Sequence, residues 1–362
     1  MNKKDIFIAV LAGGKGERLW PKSRICLPKQ NLRLLGRRTI VQYTIERAKK
    51  IAPDNIFVIA NKESFTNIRT QLKKFRIKKI VAEPFGRNTA PAIGLATLLA
   101  FRKNNNSILV AMPSDHIIGD NKKFFGTIRT AIEEADKEGA IITLGIKPVS
   151  AESAYGYIGI KEKQSQASSK YSYRVIKFIE KPKPAIARRL VSSGRFFWNS
   201  GVFIFKTSTM LSMLKEYMPA LYRGLLMLPD IKDERRFNRE VKRLYERLKS
   251  VSLDYAILEK SRNIRMVPSD FKWSDIGSFN SLARLVKKDK NGNTIFGDHA
   301  GIDTGRSVIF TDPNYLIGTI GIKDLIVVAT SDAVLVCKKE RADDIKKLVE
   351  KIKKNKKLLR FL

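Results

Sequence analysis

The chain has 362 residues, enough for one large domain with a smaller one, or two of similar size. Hydrophobic residues make up 43% of it, so a packed core is expected, and no apolar run is long enough for a membrane span. The formal net charge of +35 fits nucleic acid, anionic small substrates or a lysine-rich proteome, but the basic residues interleave with acids until the C-terminal tail, without the aromatic–basic alternation of RNA-binding surfaces.

Residues 5–11 read as a buried strand that runs into the glycines of "FIAVLAGGKGERLWPKSR". A polar loop follows to about residue 35, then a helix over 39–52, a strand over 55–60, a helix over 64–74 and a strand over 78–82. An apolar helix is predicted over 89–103, a strand over 107–115, a helix over 122–138 and a strand over 140–146. Strand and helix alternating in this way imply an α/β fold of Rossmann-like type, with a mixed, mostly parallel sheet and helices on both faces. From about residue 150 the strands become shorter and more antiparallel in character, in "YGYIGI", "YRVIKFIE" and "SGVFIF". Residues 207–250 look helical and heavily charged. A boundary is expected where "KKDKNGN" turns polar, giving a first domain over 1–285 and a small β-rich domain over 286–362 that ends in a helix. No internal repeat stands out.

The glycine loop fits neither the dinucleotide fingerprint, whose third glycine position is Leu19, nor the P-loop, whose Gly-Lys-Ser/Thr is missing. Its amides can still surround an anion, with Lys15, Arg18, Lys22, Arg24 and Lys29 within reach; the alternative is a βα connection with solvated charges. Ligands of such sheets sit beyond the carboxyl ends of the strands, where this loop, "AEPFGRN" and "PSDH" would converge. Asp115 and Asp275, over a phosphate, would suit a magnesium ion; singly, each would suit a cap or a turn. No nucleophile elbow occurs, and Cys26 has no histidine near it, so a reaction needing only positioning and charge neutralisation fits better, with Lys29 as a neutralising group. Glu180 and Lys181 at a strand end, and Asn199 just before the next strand, suit sugar hydroxyls; a plain turn is the alternative for Asn199. Two cysteines, Cys26 and Cys337, cannot form a disulfide framework, and together with the lack of a signal sequence they lead us to expect a cytoplasmic protein.

"LAGGKGERLWPKSR…PKQ", "EPFGRNTAPAI", "PSDHII", "GYI", "FIEKP", "WNSGVFIF" and "WSDIGSF" together resemble the mannose-1-phosphate guanylyltransferases, also called GDP-mannose pyrophosphorylases, over roughly residues 5–280. The resemblance implies that mannose 1-phosphate attacks the α-phosphorus of GTP in line and pyrophosphate leaves. It also implies a monofunctional form without the cupin-type isomerase domain of bifunctional members, and a homodimer. By similarity, the loop at Leu11, Ala12, Gly13 and Gly14, with Arg18, holds the nucleotide phosphates, and Lys29 steadies the transition state. Glu83, Pro84, Asn88 and Thr89 would lie against guanine, with Ser114 also on the nucleotide. Gly156, Glu180, Lys181 and Asn199 would contact the mannose, while Asp115 and Asp275 hold Mg²⁺. The chain departs from the family pattern at Lys15, Glu17 and Asn31. Rival readings are transfer to another sugar 1-phosphate such as a heptose, and a non-catalytic GDP-mannose-binding regulator.

In the tail, Ile345, Leu348, Val349 and Ile352 form one apolar stripe at helical spacing, opposite lysines that include Lys346, Lys353 and Lys354. The stripe is expected to pack on the small domain or across a dimer interface with its lysines solvated, rather than to lie on a membrane or grip nucleic acid. On that reading Leu348→Asp would destabilise, and charge reversal at Lys353 and Lys354 would do little.

Overall fold

The computed structural model describes residues 5–14, 16–161 and 172–362, and these form two compact units. The first contains residues 5–13, 42–114 and 118–273 as far as they are described. Among the described residues its main sheet is built from β1 (Ile6–Ala12), β2 (Ile56–Asn61), β3 (Lys79–Glu83), β4 (Ile108–Pro113), β5 (Ile141–Ile146), β6 (Gly156–Ile160), β7 (Tyr173–Glu180), β8 (Phe196–Lys206) and β9 (Ile264–Ser269). They form one mixed sheet in the order β3-β2-β1-β4-β8-β5-β9-β7-β6. The run β3-β2-β1-β4 is parallel, with Val10 opposite Val58 and Met112. β8 then enters antiparallel between β4 and β5.

The buried parallel strands are apolar almost throughout, because helices cover both faces and leave no polar side. In β1, "IFIAVLA" is buried at every position but Leu11. The helix Thr89–Lys103 is apolar on all sides and buried from Ala90 to Ala100. Its start is fixed by Asn88, whose side chain accepts the amide of Thr89 at 2.9 Å. The helix Asn121–Glu138 is bracketed by an Asp120 cap on Lys123 and by Gly139 at φ 59°, a left-handed ending that glycine adopts without penalty.

The second unit contains residue 14, residues 16–41, 115–117 and 274–362. Its strands are β10 (Thr294–Phe296), β11 (Asp298–Ile302), β12 (Val308–Thr311), β13 (Leu316–Ile320), β14 (Leu325–Ala329) and β15 (Val334–Lys338). β10, β12 and β14 stack in parallel register, with Ile295 beside Ile309 and Ile309 beside Val327, and β11 stacks in parallel on β13. The chain therefore passes back and forth between two narrow sheets as a coil, closed by antiparallel β15. Alternation sorts the side chains of this coil. Ile309 and Val327 meet Ile317, whereas Val308, Phe310, Ile326 and Val328 join a core with Leu19, Trp20 and the C-terminal helix Ile345–Lys353.

That helix buries Ile345, Val349 and Ile352 in this core, which supports the expected docking on the small domain. Leu348, however, is 38% exposed, and Lys353 is held by Glu17 and Glu350 at 2.7 Å each rather than solvated. The stripe is thus centred one position from where the spacing put it. Val349→Asp should destabilise the protein by at least about 3 kcal/mol, because an unpaired carboxylate enters an apolar core, while Leu348→Asp should cost far less. Thermal or denaturant unfolding of the two variants checks this, and equal losses would contradict it.

Candidate active site

Four of the proposed phosphate and metal residues meet in the second unit. Arg18, Lys29, Asp115 and Asp275 line one cavity of about 280 Å³, together with Gly16, Gly277 and Lys346. Lys29 lies on a short 3₁₀ turn and is only 6% exposed, so it is not a solvated loop lysine. Its ammonium sits 2.7 Å from Asp115 Oδ2 and donates to the carbonyl of Asp275, tying the two acidic segments together. Gly16 allows this packing: it is left-handed at φ 68°, and a Cβ there would collide with the Cβ of Lys29. Burial pushes the Asp115 carboxyl up, but the charges of Lys29 and His116 outweigh it and hold its pKa below the ordinary value.

Asp275 belongs to a tight turn, with Oδ1 accepting the amide of Gly277 at 2.9 Å. Between them Ile276 is left-handed at φ 46° and fully buried. A β-branched residue in that region is strained, and the core around its side chain holds it there. An ideal Cβ on Gly14 would lie 3.3 Å from Asp115 Oδ2, so the glycine keeps that carboxylate approachable.

Arg18 reaches the cavity with its Nε 2.9 Å from Asp343 Oδ1. Two other basic residues of the loop have structural partners instead. Lys22 is paired with Asp312, and Arg24 stacks over Trp20 and bonds Asp332 at 2.7 Å. Neither lines the cavity, so the expected reach of these two residues towards an anion is corrected to a role in holding the loop to the β-coil. Lys15 lies outside the described residues.

The remaining positions fall in the first unit. Leu11 and Ala12 end β1, and the carbonyl of Leu11 accepts the amide of Ser114 at 2.9 Å. Glu83 ends β3 beneath Gly13, where an ideal Cβ would lie 3.6 Å from its Oε2. Glu83 is buried, accepts the Tyr245 hydroxyl at 3.0 Å, and has its pKa raised to about 7 by that burial, with the Tyr245 bond opposing. After Pro84 the segment bulges outward at Phe85 and is fixed again where Arg87 bonds the Tyr245 carbonyl, at left-handed Asn88, and at Thr89, whose hydroxyl accepts the amide of Leu253.

Gly156, Glu180, Lys181 and Asn199 form a cluster of their own. Gly156 of β6 faces Glu180 of β7 in register, and a Cβ on the glycine would collide with the carboxylate. Lys181, left-handed at φ 47°, folds back to Glu180 at 2.6 Å. Asn199 lies inside β8 rather than before it, so the plain-turn alternative falls. Its Oδ1 accepts Thr143 at 2.8 Å and the Gly201 amide at 3.1 Å, and its Nδ2 donates to Asp254 Oδ1 at 3.2 Å.

Asp254, which its sequence surroundings do not single out, joins this cluster from a single turn of π-helix, Asp254–Leu258. Burial, and then the charge of Glu180, raise its pKa from 3.8 to about 7. The folded protein therefore keeps this proton at a pH where the unfolded chain has lost it, and stability contributed at low pH is lost as pH rises from about 4 through 7. Asp254→Asn removes that loss. The variant's gain in melting temperature over the parent should be larger at pH 8 than at pH 5, and an equal difference at both would contradict the assignment.

Comparison with known proteins divides the chain into a long and a short segment. The Nucleotidyl transferase family matches residues 8–292, and the MannoseP isomerase/GMP-like beta-helix domain matches 297–352. The mannose-1-phosphate guanylyltransferase of Escherichia coli strain K12 is 36% identical over 358 residues, covering 98% of this chain and 74% of that protein. The Klebsiella pneumoniae protein of the same name is 36% identical, covering 96% and 74%. A crystal structure from Thermus thermophilus, described as a mannose-1-phosphate geranyltransferase, superposes with a TM-score of 0.84 at 29% identity, covering 96% of this chain and 99% of that one. Among the described residues no helix is long and apolar enough to cross a membrane.

Proposed function

We infer that the chain transfers the GMP unit of GTP to mannose 1-phosphate, because it belongs to the nucleotidyl transferase family and, within it, to the mannose-1-phosphate guanylyltransferases. A phosphate oxygen of mannose 1-phosphate forms the new bond to the α-phosphorus of GTP, the bond from that phosphorus to the bridging oxygen breaks, and pyrophosphate leaves with the electron pair. The observation that carries this reading is the joining of Lys29, Asp115 and Asp275 in one cavity. Such a transfer asks little covalent work of the protein and much charge neutralisation, which a buried lysine paired with the Asp115 carboxylate and bonded to the Asp275 carbonyl is placed to give.

A divalent cation, which we take to be Mg²⁺, fits the donor set. Asp115 and Asp275 offer hard oxygen ligands in the same cavity, and among the described residues no cluster of three or more His, Cys, Asp or Glu could hold a metal alone. Substrate phosphates would complete such a site, as is usual for magnesium. When bound, the ion would neutralise charge developing on the phosphates. Lys29 would then exchange part of its contact with Asp115 for a phosphate oxygen, while Arg18 and the amides at Leu11, Ala12, Gly13 and Gly14 hold the chain of phosphates.

Glu83, Pro84, Asn88, Thr89 and Ser114 are assigned to the nucleoside, and Gly156, Glu180, Lys181 and Asn199 to the mannose hydroxyls. We place the domain boundary between residues 285 and 286. We further propose a cytoplasmic homodimer, the first supported by Cys26 and Cys337 forming no disulfide. Incubation with GTP, Mg²⁺ and mannose 1-phosphate should yield GDP-mannose and pyrophosphate in equal amounts, identified by mass spectrometry. Recovery of unchanged GTP would overturn the reading.

A further inference from the structure

The cavity around Lys29 has a wall that the assigned reaction does not use. The C-terminal helix Ile345–Lys353 borders it through Lys346. The helix is joined to the glycine loop at both ends: Asp343, just before it, pairs with Arg18 at 2.9 Å, and Lys353 in its last turn pairs with Glu17 at 2.7 Å. Its apolar face is fixed in the core by Ile345, Val349 and Ile352. These contacts join segments far apart in the sequence and leave the helix little freedom to turn.

Three cations, Arg18, Lys29 and Lys346, and three carboxylates, Glu17, Asp115 and Asp275, line this cavity. Lys29 is matched by Asp115, Arg18 by Asp343 and Glu17 by Lys353. Lys346 makes no ion pair with any described residue. It follows a buried residue, Ile345, on a helix fixed by its core contacts, which places the exposed Lys346 at the edge of the cavity. Lys29, by contrast, is buried against the Asp115 carboxylate and the Asp275 carbonyl. The two lysines thus mark an inner and an outer end. We propose that Lys346 binds the terminal phosphates of the nucleotide and, after transfer, the departing pyrophosphate, so that the C-terminal helix is part of the phosphate site.

This deepens the guanylyltransferase reading and rests on it. The inner end, where carboxylates and Lys29 meet, suits the reacting phosphate; the solvent-facing end suits the group that must leave. Glu17 gains a function as well. Its carboxylate, out of place beside a phosphate chain, is neutralised by Lys353 and serves to dock the helix.

The test is calorimetric titration of the full chain with inorganic pyrophosphate and Mg²⁺. Lys346→Gln should weaken binding by about 10-fold or more, the usual worth of a charged hydrogen bond, while Lys346→Arg should stay within a few-fold of the parent. Lys347→Gln, next in sequence but paired with Asp344, should bind as the parent does. Equal pyrophosphate affinity of Lys346→Gln and parent, with both melting at the same temperature, would overturn the proposal. Because the readout is binding of pyrophosphate alone, it is separate from the formation of GDP-mannose by the parent, which tests the reading beneath it.

Discussion

Asp275→Asn should lower kcat by about 100-fold or more while leaving the KM for GTP within a few-fold, because a contact made to the metal in the transition state is worth several kcal/mol. The substitution keeps the size of the side chain and an oxygen to accept the Gly277 amide, so the strained turn at Ile276 retains its anchor. Asp115→Asn should lose at least as much turnover. It carries a second effect, since the buried ammonium of Lys29 then loses the carboxylate 2.7 Å away, and the protein should also melt lower. Steady-state kinetics with melting curves separate the two. Turnover near that of the parent in Asp275→Asn would remove this residue from the site.

Discrimination between bases should be larger still. Guanine presents an exocyclic amino donor and a 6-oxo acceptor where adenine presents the reverse at position 6 and nothing at position 2. Glu83 is buried with its carboxyl bonded to Tyr245, and the segment through Asn88 and Thr89 is pinned by residues 245–253. A rigid polar pocket leaves its groups unpaired when the wrong base enters, which costs roughly 10⁴-fold in kcat/KM. GTP should therefore exceed ATP by about that factor. Inosine triphosphate, which lacks only the amino group, should fall between them. Similar efficiencies for GTP and ATP would show that Glu83–Thr89 does not read the base.

The elements of the first unit were legible because each carries its own signal. β1 is apolar at every residue, the helix Thr89–Lys103 begins at an asparagine cap, and the helix Asn121–Glu138 stops at a glycine. Lys29, Asp115 and Asp275, which the structure brings to one cavity, could be singled out for the same reason, each standing at a motif after a strand or within a turn. What stayed hidden depends on partners far away in sequence. The coil of β10 to β15 closes only when short strands stack on one another, and strands of three to five residues carry no marker of their neighbours. Lys22 and Arg24 looked like phosphate ligands until Asp312 and Asp332 were seen to meet them. Asp254 lies in "LDYAIL", whose sequence carries no mark of its π-helical turn, and only folding brings it to Asn199 and Glu180. Lys353 belongs to a lysine-rich face and acquires a role only through Glu17.

If GTP is activated in the cavity of Lys29, Asp115 and Asp275, a divalent ion bound with the triphosphate must sit there. Anomalous diffraction from crystals holding Mn²⁺ and a non-hydrolysable GTP analogue tests it most directly, because manganese takes the oxygen ligands that magnesium does and is located by its own signal. A manganese peak is expected at about 2.1 Å from a carboxylate oxygen of Asp115 and of Asp275, completed by phosphate oxygens of the analogue. An ordered analogue whose manganese lies away from both aspartates would contradict it.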